Sequence, residues 1–216
     1  MRNFDLEKEN GRSMIEMLGV LAIIGVLSVG GIAGYSKAMT KYRINKAIEQ
    51  ITLIAGNVRS FFAPQRSYEG LGSCQSDNDY CKLIKKAKLM PDEMWDDTAK
   101  KFDNVFGYEV DLIAVHKSTS GDNQAFRIRY SIGDNMETCI ELLSYDWRVA
   151  GAQAIQIGGP GYYRNLKVPV AVDKAVEVCS EAISKNQSYR ASLPDIFFYF
   201  DINLSGTEWN SKTWAN

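Results

Sequence analysis

The sequence has little histidine and proline and no excess of charge of either sign. It holds 216 residues, with 1 His, 5 Pro, 25 Lys plus Arg and 26 Asp plus Glu. Because nucleic acid is bound by strongly basic surfaces, a net charge of -1 gives no reason to expect it as a partner. A hydrophobic fraction of 45% excludes disordered and collagen-like chains. At about 100–200 residues per domain, the length leaves room for one folded domain and little more.

Motifs of the common enzyme classes are also absent. The sequence contains no Walker loop, no G-x-S-x-G and no H-E-x-x-H. The single histidine, His116, lies at the end of a predicted strand, where we expect a surface position and no catalytic triad. The segment Asp77-Asn78-Asp79 lacks the pattern of a calcium loop, and we expect a solvated turn there. We therefore predict a protein that is not an enzyme and needs no cofactor.

Charge is missing altogether from Met17 to Gly34, where Ser28 is the one clearly polar residue. A helix of about 20 apolar residues matches the hydrocarbon core of a bilayer, which is roughly 30 Å thick. A secretory signal peptide would have a basic start, a shorter apolar core and a small-residue cleavage site. Residues 1–11 are instead acidic on balance, and no A-x-A pattern follows the run. The sequence therefore predicts a transmembrane or assembly helix over residues 12–35.

The helical pattern continues well beyond the apolar run. No proline occurs before Pro64, and apolar residues recur at spacings of three and four, the period of an α-helix. These residues are Ile44, Ala47/Ile48, Ile51, Ile54/Ala55, Val58 and Phe61/Phe62. We predict one helix from about Met14 to Phe62, with an amphipathic continuation over residues 36–64 that needs a globular domain on one side.

Glu16 complicates the interpretation of this segment as a simple membrane anchor. A carboxylate in the middle of a bilayer costs about 2.5–3.5 kcal/mol on insertion scales, and less near the edge. Two alternatives follow from the residues alone. Either Glu16 lies at the level of the lipid headgroups, or it has a positively charged partner inside an apolar assembly.

The segment Gly11-Arg12-Ser13-Met14-Ile15-Glu16, followed by the apolar run, resembles the processing site of a type IV prepilin. In that family a membrane peptidase on the cytoplasmic side cuts after a glycine, and the new N-terminus is usually methylated. A glutamate stands at the fifth position after the cut. The resemblance therefore implies a leader over residues 1–11, processing at Gly11 and Arg12, and an assembly role for Glu16. Arg12 and the acidic leader depart from the usual apolar first residue and basic leader.

The resemblance also implies how the helix would assemble. In a packed bundle, the Glu16 carboxylate would pair with the N-terminal amine of a neighbouring subunit, because a paired buried charge is tolerated. Gly30 and Gly34 have the small-xxx-small spacing that permits close helix packing, although ordinary membrane-helix composition explains them equally well. The implied partners are copies of itself or related pilins, a prepilin peptidase and methyltransferase, an inner-membrane assembly platform and, before assembly, membrane lipid. The implied location is the bacterial inner membrane, then an extracellular or periplasmic filament.

Residues 65–216 predict an α+β domain. The predicted helices cover residues 80–90 and 172–184, the predicted strands cover 107–116, 125–132 and 196–204, and a turn is predicted at 158–161. In the second strand, apolar residues alternate with Arg127, Arg129 and Ser131, so we expect one buried face and one wet face. The helix at 172–184 has apolar residues at helical spacing, at Val172 and Val176 among others. We expect a long N-terminal helix packed on an antiparallel β-sheet, which is the pilin fold that the resemblance implies.

The four cysteines all follow the apolar run. An even number outside the span suits an oxidising compartment, and four cysteines allow three connectivities. We favour Cys74–Cys81 as a local loop and Cys139–Cys179 as a long one. A zinc site built from all four is the alternative, although the spacings lack paired C-x-x-C.

Several segments of this domain resemble the type IVb pilins. They are Tyr68-Glu69-Gly70-Leu71, Met90-Pro91, Asn104-Val105-Phe106-Gly107 and Phe126-Arg127-Ile128. The C-terminal disulfide of those pilins would fall on Cys139 and Cys179. We identify no counterpart in that family for residues 144–170 or for the tail after Ser205, which contains Trp209 and Trp214.

Three functional interpretations follow. The first is a structural subunit of a type IVb-like pilus. The second is a pseudopilin of a type II secretion apparatus or a minor pilin at a filament tip, which shares the same N-terminus. The third is a bitopic membrane protein with an extracytoplasmic binding domain. Roles in adhesion, motility, DNA uptake and secretion are not distinguished by the sequence.

Overall fold

The computed structural model describes residues 14–65, 67–115, 123–159, 162–189 and 194–201. The chain divides into two compact units, Met1–Tyr42 and Arg43–Asn216. The first helix, α1, covers Met14–Phe62 and has residues in both units. This confirms the long helix predicted from the sequence, which ends just before the turn at Pro64.

The two halves of α1 differ completely in burial. Every residue from Met14 to Ala38 is exposed. In the second half, one face is buried in the core of the second unit, and its members are Ile44, Ala47, Gln50, Ile51, Ile54, Ala55, Val58 and Phe62. The predicted amphipathic continuation is therefore confirmed, with Phe62 inside and Phe61 exposed. Gln50 is the one polar member of this face.

The second unit is built around one five-stranded antiparallel sheet. Its strands are β3 (Val110–Val115), β4 (Ala125–Ser131), β5 (Ala152–Gly159), β6 (Tyr162–Lys167) and β7 (Asp195–Phe200). Their spatial order is β3-β4-β7-β5-β6. The remaining elements are the helices α2 (Asp79–Lys86), α3 (Met136–Ser144) and α4 (Val172–Tyr189), and the two-residue strands β1 (Trp95–Asp96) and β2 (Lys101–Phe102), which pair with each other.

One side of the five-stranded sheet, which we call the first face, carries the main core. Its central row runs across all five strands through Leu112, Ile128, Phe198, Ile155 and Leu166. These side chains form one cluster with the buried residues of α1, α2, α3 and α4. The architecture is therefore the predicted long helix on an antiparallel sheet.

The opposite side, which we call the second face, is not the wet surface predicted from β4. Its central row runs through Asp111, Arg129, Phe197, Gln156 and Asn165. Ser131 is buried, and Arg127 and Arg129 are half-buried. The prediction failed because β4 is an interior strand, and its neighbours place large side chains beside the two arginines.

Several predicted boundaries also need correction. The helix α2 ends at Lys86, four residues before the predicted end. The chain turns there because Lys88 takes a left-handed backbone (φ 51°), and the amide of Leu89 donates to the carbonyl of Ile84 over 3.0 Å. The strand predicted from residue 107 begins at Val110.

The later elements differ in similar ways. The helix α4 extends to Tyr189, and its inward side carries Ala175 and Val178, whereas Val172 and Val176 are exposed. Gly158 and Gly159 belong to β5, and the other half of the predicted turn lies outside the described residues. Strand β7 ends at Phe200, because Asp201, inside the strand predicted at 196–204, takes a left-handed backbone (φ 59°). Residues 202–204 lie outside the described residues.

Candidate functional site

The exposed apolar half of α1 is the most unusual surface of the chain. Among the described residues, α1 is the one helix long and apolar enough, by length and composition, to cross a membrane. Its exposed large apolar side chains are Met14, Ile15, Met17, Leu18, Val20, Leu21, Ile23, Ile24, Val26, Leu27, Val29 and Ile32. Single exposed apolar residues are common on proteins, but a contiguous apolar surface of this size marks contact with lipid or with other protein.

The polar and small residues of this segment fit an apolar environment. The Ser28 hydroxyl donates to the carbonyl of Ile24 over 2.7 Å, so the one hydroxyl of the run is satisfied inside the helix. A methyl group added at Gly30 or Gly34 would meet no described atom within 4 Å beyond its chain neighbours and the nearby backbone of its own helix. Packing within the described part of the chain therefore does not require these two glycines. Glu16 lies in the first turn of the described helix and is exposed.

Gly11 and Arg12, the predicted processing residues, lie outside the described residues, as does the whole segment 1–11. His116 and the tail with Trp209 and Trp214 lie outside them as well. The structure therefore places Glu16, Gly30 and Gly34 on α1, and it does not describe the predicted processing site.

The four cysteines form two disulfides, Cys74–Cys81 and Cys139–Cys179. These are the two pairs favoured from the sequence, and they leave no thiols for the zinc alternative. Cys139 lies on α3 and Cys179 on α4, so the long disulfide ties two helices of the core together. Within the described part of the chain, no group of three or more His, Cys, Asp or Glu side chains could hold a metal ion.

The loop closed by Cys74 and Cys81 contains the predicted solvated turn, in which Asp77 and Asp79 are exposed. The Asn78 side chain accepts a hydrogen bond from the amide of Cys81 (3.0 Å) and thereby caps α2. Its amide group donates to the carbonyl of Ser73 over 2.8 Å. The segment Asp77-Asn78-Asp79 therefore fixes the start of α2 inside the disulfide loop.

A polar cluster fastens the end of α1 to the rest of the second unit. Arg59 donates to the carbonyls of Ala150 (2.9 Å) and Gly151 (2.7 Å) and forms an ion pair with Asp201 (3.2 Å). The Tyr68 hydroxyl donates to the same carboxylate over 2.5 Å. Burial and this hydrogen bond raise the pKa of Tyr68, so the phenol stays protonated. Because Arg59 is near the C-terminus of α1, its charge also suits the helix dipole.

Gln50 makes a second attachment, in the middle of the core. Its side-chain oxygen accepts hydrogen bonds from the Tyr130 hydroxyl (2.7 Å) and from the amide of Val105 (3.4 Å). Burial raises the pKa of Tyr130. Nearby, Asn104 donates to the carbonyl of Ser131 over 2.7 Å. Sequence reasoning missed Gln50, although a lone polar residue on an otherwise apolar helix face is a recognisable signal.

The second face carries a network of charged and polar side chains. Arg129 forms ion pairs with Asp111 (2.5 Å), Glu109 (2.8 Å) and Asp195 (3.8 Å). Burial is the largest cause that raises the pKa of Asp195, although Ser131 and Arg129 lower it in part. Burial also raises the pKa of Glu109. The cluster therefore has one guanidinium shared among three carboxylates, two of which ionise less readily than usual.

Comparison with known proteins places the chain in a family. A family model described as PilS N terminal matches residues 41–189, which is more than half of the chain. The major structural subunits of bundle-forming pilus from Escherichia coli O127:H6 (strain E2348/69 / EPEC) and from Escherichia coli O111:H- are each 27% identical to it over 112 residues. Each match covers 52% of this chain and 54% of the relative, so the chain spans about half the length of the curated relatives it matches.

A solved structure shares the fold. The type IV b pilin from Salmonella typhi aligns with a TM-score of 0.50 and 14% identity, over 72% of this chain and 98% of that one. At this identity the likeness concerns the fold alone. The matched family model, the related pilus subunits and the shared fold agree, and the chain belongs to the type IVb pilin family.

Proposed function

We propose that this chain is a structural subunit of a type IV pilus and that it assembles through the apolar half of α1. The observation that carries the proposal is the fully exposed apolar surface between Met14 and Ala38, in a chain of the type IVb pilin family. Removing apolar surface from water is worth about 25 cal/mol per Å², so this surface is stable only against lipid or other apolar helices. Storage in a bilayer, followed by packing in a filament, provides both environments in turn. The relatives described as major structural subunits support this role.

Glu16 is the residue that would set the register of assembly. It is the only charged residue from Met14 to Ser36. We place processing after Gly11, which makes Arg12 the first residue and gives each subunit a new amine near the start of the helix. An ion pair between Glu16 and the amine of a neighbouring subunit compensates two charges that would otherwise be buried alone. The pair works only at one axial offset between helices and therefore selects it.

Gly30 and Gly34 would let the packed helices approach closely. Both positions are open on the helix surface, because a methyl group added at either one would contact no described atom within 4 Å beyond its chain neighbours and its own helix backbone. In apolar surroundings, helix association depends on close van der Waals packing, which small residues permit. We therefore place a helix–helix contact of the filament at this part of α1.

The other expected partners are those that process the chain and assemble it into a filament. We propose that a prepilin peptidase and methyltransferase process the chain, that an inner-membrane assembly platform extracts it, and that copies of itself or related pilins receive it. The precursor would lie in the bacterial inner membrane and the product in an extracellular filament.

The experiment compares Glu16→Ala with Ser28→Ala, the other polar residue of the apolar segment. Both substitutions make the segment more apolar, so both variants should insert into the membrane. We expect Glu16→Ala to lose filaments while its membrane pool is retained, because one partner of the register-setting pair is gone. Ser28→Ala should assemble normally, because its hydroxyl bonds within its own helix. Filaments are quantified in sheared surface fractions.

Normal filament yield from Glu16→Ala would contradict the pairing. Absence of the wild-type chain from sheared filaments, with the chain retained in the membrane, would favour a bitopic membrane protein with an extracytoplasmic binding domain. Abundance gives a second outcome. If the wild-type chain is a trace component of sheared filaments, the chain is a minor pilin or a pseudopilin and not the main structural subunit.

A further inference from the structure

Basic and aromatic side chains follow the apolar half of α1 directly. Tyr35, Lys37, Lys41, Tyr42 and Arg43 are all exposed, and the two tyrosines are 68% and 59% exposed. The five residues lie within nine positions of the sequence, immediately after the uncharged run, and we call them the collar. Tyrosine, lysine and arginine are the side chains that flank membrane-spanning helices at the level of the lipid headgroups.

The positive charges of the collar have no acidic residue near them in the sequence. The chain contains no Asp or Glu between Glu16 and Glu49. The next basic residue, Lys46, differs from the collar, because it forms ion pairs with Glu93 (2.8 Å) and Glu49 (3.3 Å) within the second unit. The collar therefore concentrates three positive charges on one short stretch of helix, and an anionic surface is the partner that suits it.

The collar side chains lie on more than one side of the helix. At 3.6 residues per turn, Lys37 and Lys41 lie about one turn apart on one side. Tyr35 and Tyr42, seven residues apart, lie together on roughly the opposite side. A globular partner would cover one side of the helix, whereas lipid headgroups surround it. The arrangement therefore favours a membrane surface over a protein partner.

The distance from the collar to Glu16 matches the thickness of a bilayer. Lys37 stands 21 positions after Glu16, and the positions between them hold no charged residue. At about 1.5 Å per residue, the two lie about 32 Å apart along α1, and the hydrocarbon core of a bilayer is about 30 Å thick. When the collar lies among the headgroups of one leaflet, Glu16 therefore reaches those of the other. No carboxylate then has to be buried in hydrocarbon.

We propose that the collar binds anionic phospholipid headgroups, in the leaflet at the C-terminal end of the apolar run, while the chain is stored in a bilayer. The bound collar fixes the depth of α1 and holds Glu16 at the opposite headgroup level until assembly. Departure from the membrane then requires these contacts to break, so the collar also retains the unassembled chain. This inference rests on the membrane-stored stage of the proposed function and does not depend on how a filament is built.

Electron spin resonance of spin-labelled lipids tests the proposal on the full chain in phosphatidylcholine bilayers. The fraction of probe immobilised by the protein is compared for spin-labelled phosphatidylglycerol and phosphatidylcholine. We expect a several-fold preference for phosphatidylglycerol, since each basic residue near an anionic surface strengthens binding about fivefold. Lys37→Gln/Lys41→Gln/Arg43→Gln should lose most of this preference. Because salt screens exposed charges, 1 M NaCl should weaken the preference of the wild-type chain.

The matched control is Lys86→Gln/Lys88→Gln/Lys100→Gln, which removes the same charge from exposed residues of the second unit. This variant should keep the lipid preference of the wild-type chain. The depth of α1 is measured separately, by modification of carboxylates with a water-soluble carbodiimide and mass spectrometry. In the bilayer, Glu16 should react within a few-fold of the rate of Glu69, which is exposed in the second unit.

Four results would overturn the proposal. The wild-type chain could immobilise both lipids equally, the two triple variants could lose the preference equally, or Glu16 could stay unmodified while Glu69 reacts. The collar variant could also keep its lipid preference and lose only filaments, which would assign the basic residues to contacts between copies. Should the collar variant fail to fold, the salt dependence and the Glu16 modification of the wild-type chain decide.

Failure of the proposed function is distinguishable from failure of this inference. Filament loss in Glu16→Ala tests assembly and leaves the lipid preference of the wild-type chain unchanged. A wild-type chain that inserts into bilayers without selecting the anionic lipid overturns the collar alone. A wild-type chain that does not insert into bilayers at all overturns both.

Discussion

Gln50 holds α1 to the sheet through a hydrogen bond to Tyr130 that is buried on both sides. We expect Gln50→Leu to lower the free energy of unfolding by about 1–3 kcal/mol, because the Tyr130 hydroxyl and the Val105 amide lose their acceptor inside the core. The double variant with Tyr130→Phe should recover part of this loss, since it leaves no buried Tyr130 hydroxyl without an acceptor. Urea unfolding of the two single variants and the double variant gives the coupling energy. Strictly additive losses would contradict this role of the pair.

Gly151 and Gly107 form a matched pair of glycines with nearly equal left-handed backbones, at φ 80° and 81°. Alanine at Gly151 would drive its Cβ into the guanidinium of Arg59, whereas at Gly107 it would meet nothing within 4 Å. We expect Gly107→Ala to cost about 1–2 kcal/mol for the backbone alone. Gly151→Ala should cost clearly more, because Arg59 must also leave the carbonyls that it binds. Equal losses in urea unfolding would show that these contacts contribute little.

Asp195 makes the stability of the domain depend on pH. Burial raises its pKa in the folded state above the unfolded value, so the folded state binds the proton more tightly. Stability from this group should therefore rise as pH falls through the raised pKa, and should decrease as pH rises from about pH 4 towards neutrality. Asp195→Asn should reduce this dependence in urea titrations and leave the part due to Glu109, whose pKa is raised in the same direction.

Asp146 provides a control, because its contribution to stability depends on pH in the opposite direction. Its pKa is lowered by the hydrogen bond from Arg148, so its contribution is present above the unfolded pKa and is lost on acidification. Because both side chains are exposed, we expect Asp146→Asn to change the pH dependence only slightly. A larger effect from Asp146→Asn than from Asp195→Asn would contradict the assignment to the buried carboxylate.

At the scale of elements, the two disulfides should contribute unequally. Cys74–Cys81 closes a separation of 7 residues and Cys139–Cys179 one of 40. In the chain-entropy model, the long closure contributes about 4 kcal/mol and the short one about 2.5 kcal/mol. We therefore expect Cys139→Ser/Cys179→Ser to lower the unfolding midpoint more than Cys74→Ser/Cys81→Ser. The reverse order would indicate that the short disulfide acts chiefly by fixing the capped start of α2.

A helix or strand can be predicted from this sequence where its apolar residues follow a regular pattern. The helix α1 is found from the sequence because an uncharged apolar run is followed by a regular helical period, and the strand β4 because its apolar residues alternate. Strands β5 and β6 were not predicted: β5 (AQAIQIGG) is rich in small residues and glycine, and β6 (YYRNLK) is a polar edge strand. Only pairing with neighbouring strands makes them strands. The helix α3 was missed too, although Asn135 carries a readable capping signal, since its side chain accepts from the Thr138 amide over 2.8 Å.

The candidate assembly segment was the most predictable part of the molecule, because its signal lies in an uninterrupted run of sequence. Glu16 and the apolar run stand out without any tertiary structure. The hydrogen bonds and the ion pair that attach α1 to the second unit cannot be seen in the sequence. Gln50, Arg59 and Asp201 contact residues that are far away along the chain. The burial of the second face was likewise not visible in the sequence, since alternation along β4 cannot reveal which large side chains the neighbouring strands place beside it.

At the scale of the whole molecule, the two units differ in how their apolar side chains are buried. The second unit, Arg43–Asn216, buries a core of its own and holds both disulfides. The unit Met1–Tyr42 contains the exposed apolar surface of α1, which has no cover within the described residues. A folded domain that carries an exposed apolar helix is suited to a subunit that buries this surface in lipid or in a filament.

Mass spectrometry of subunits purified from sheared surface filaments tests this proposal most directly. We expect this chain to be the main component of the filaments, with Arg12 as its first residue and both disulfides intact. Filaments that lack the chain, or that contain it with residues 1–11 still attached, would contradict the proposed role.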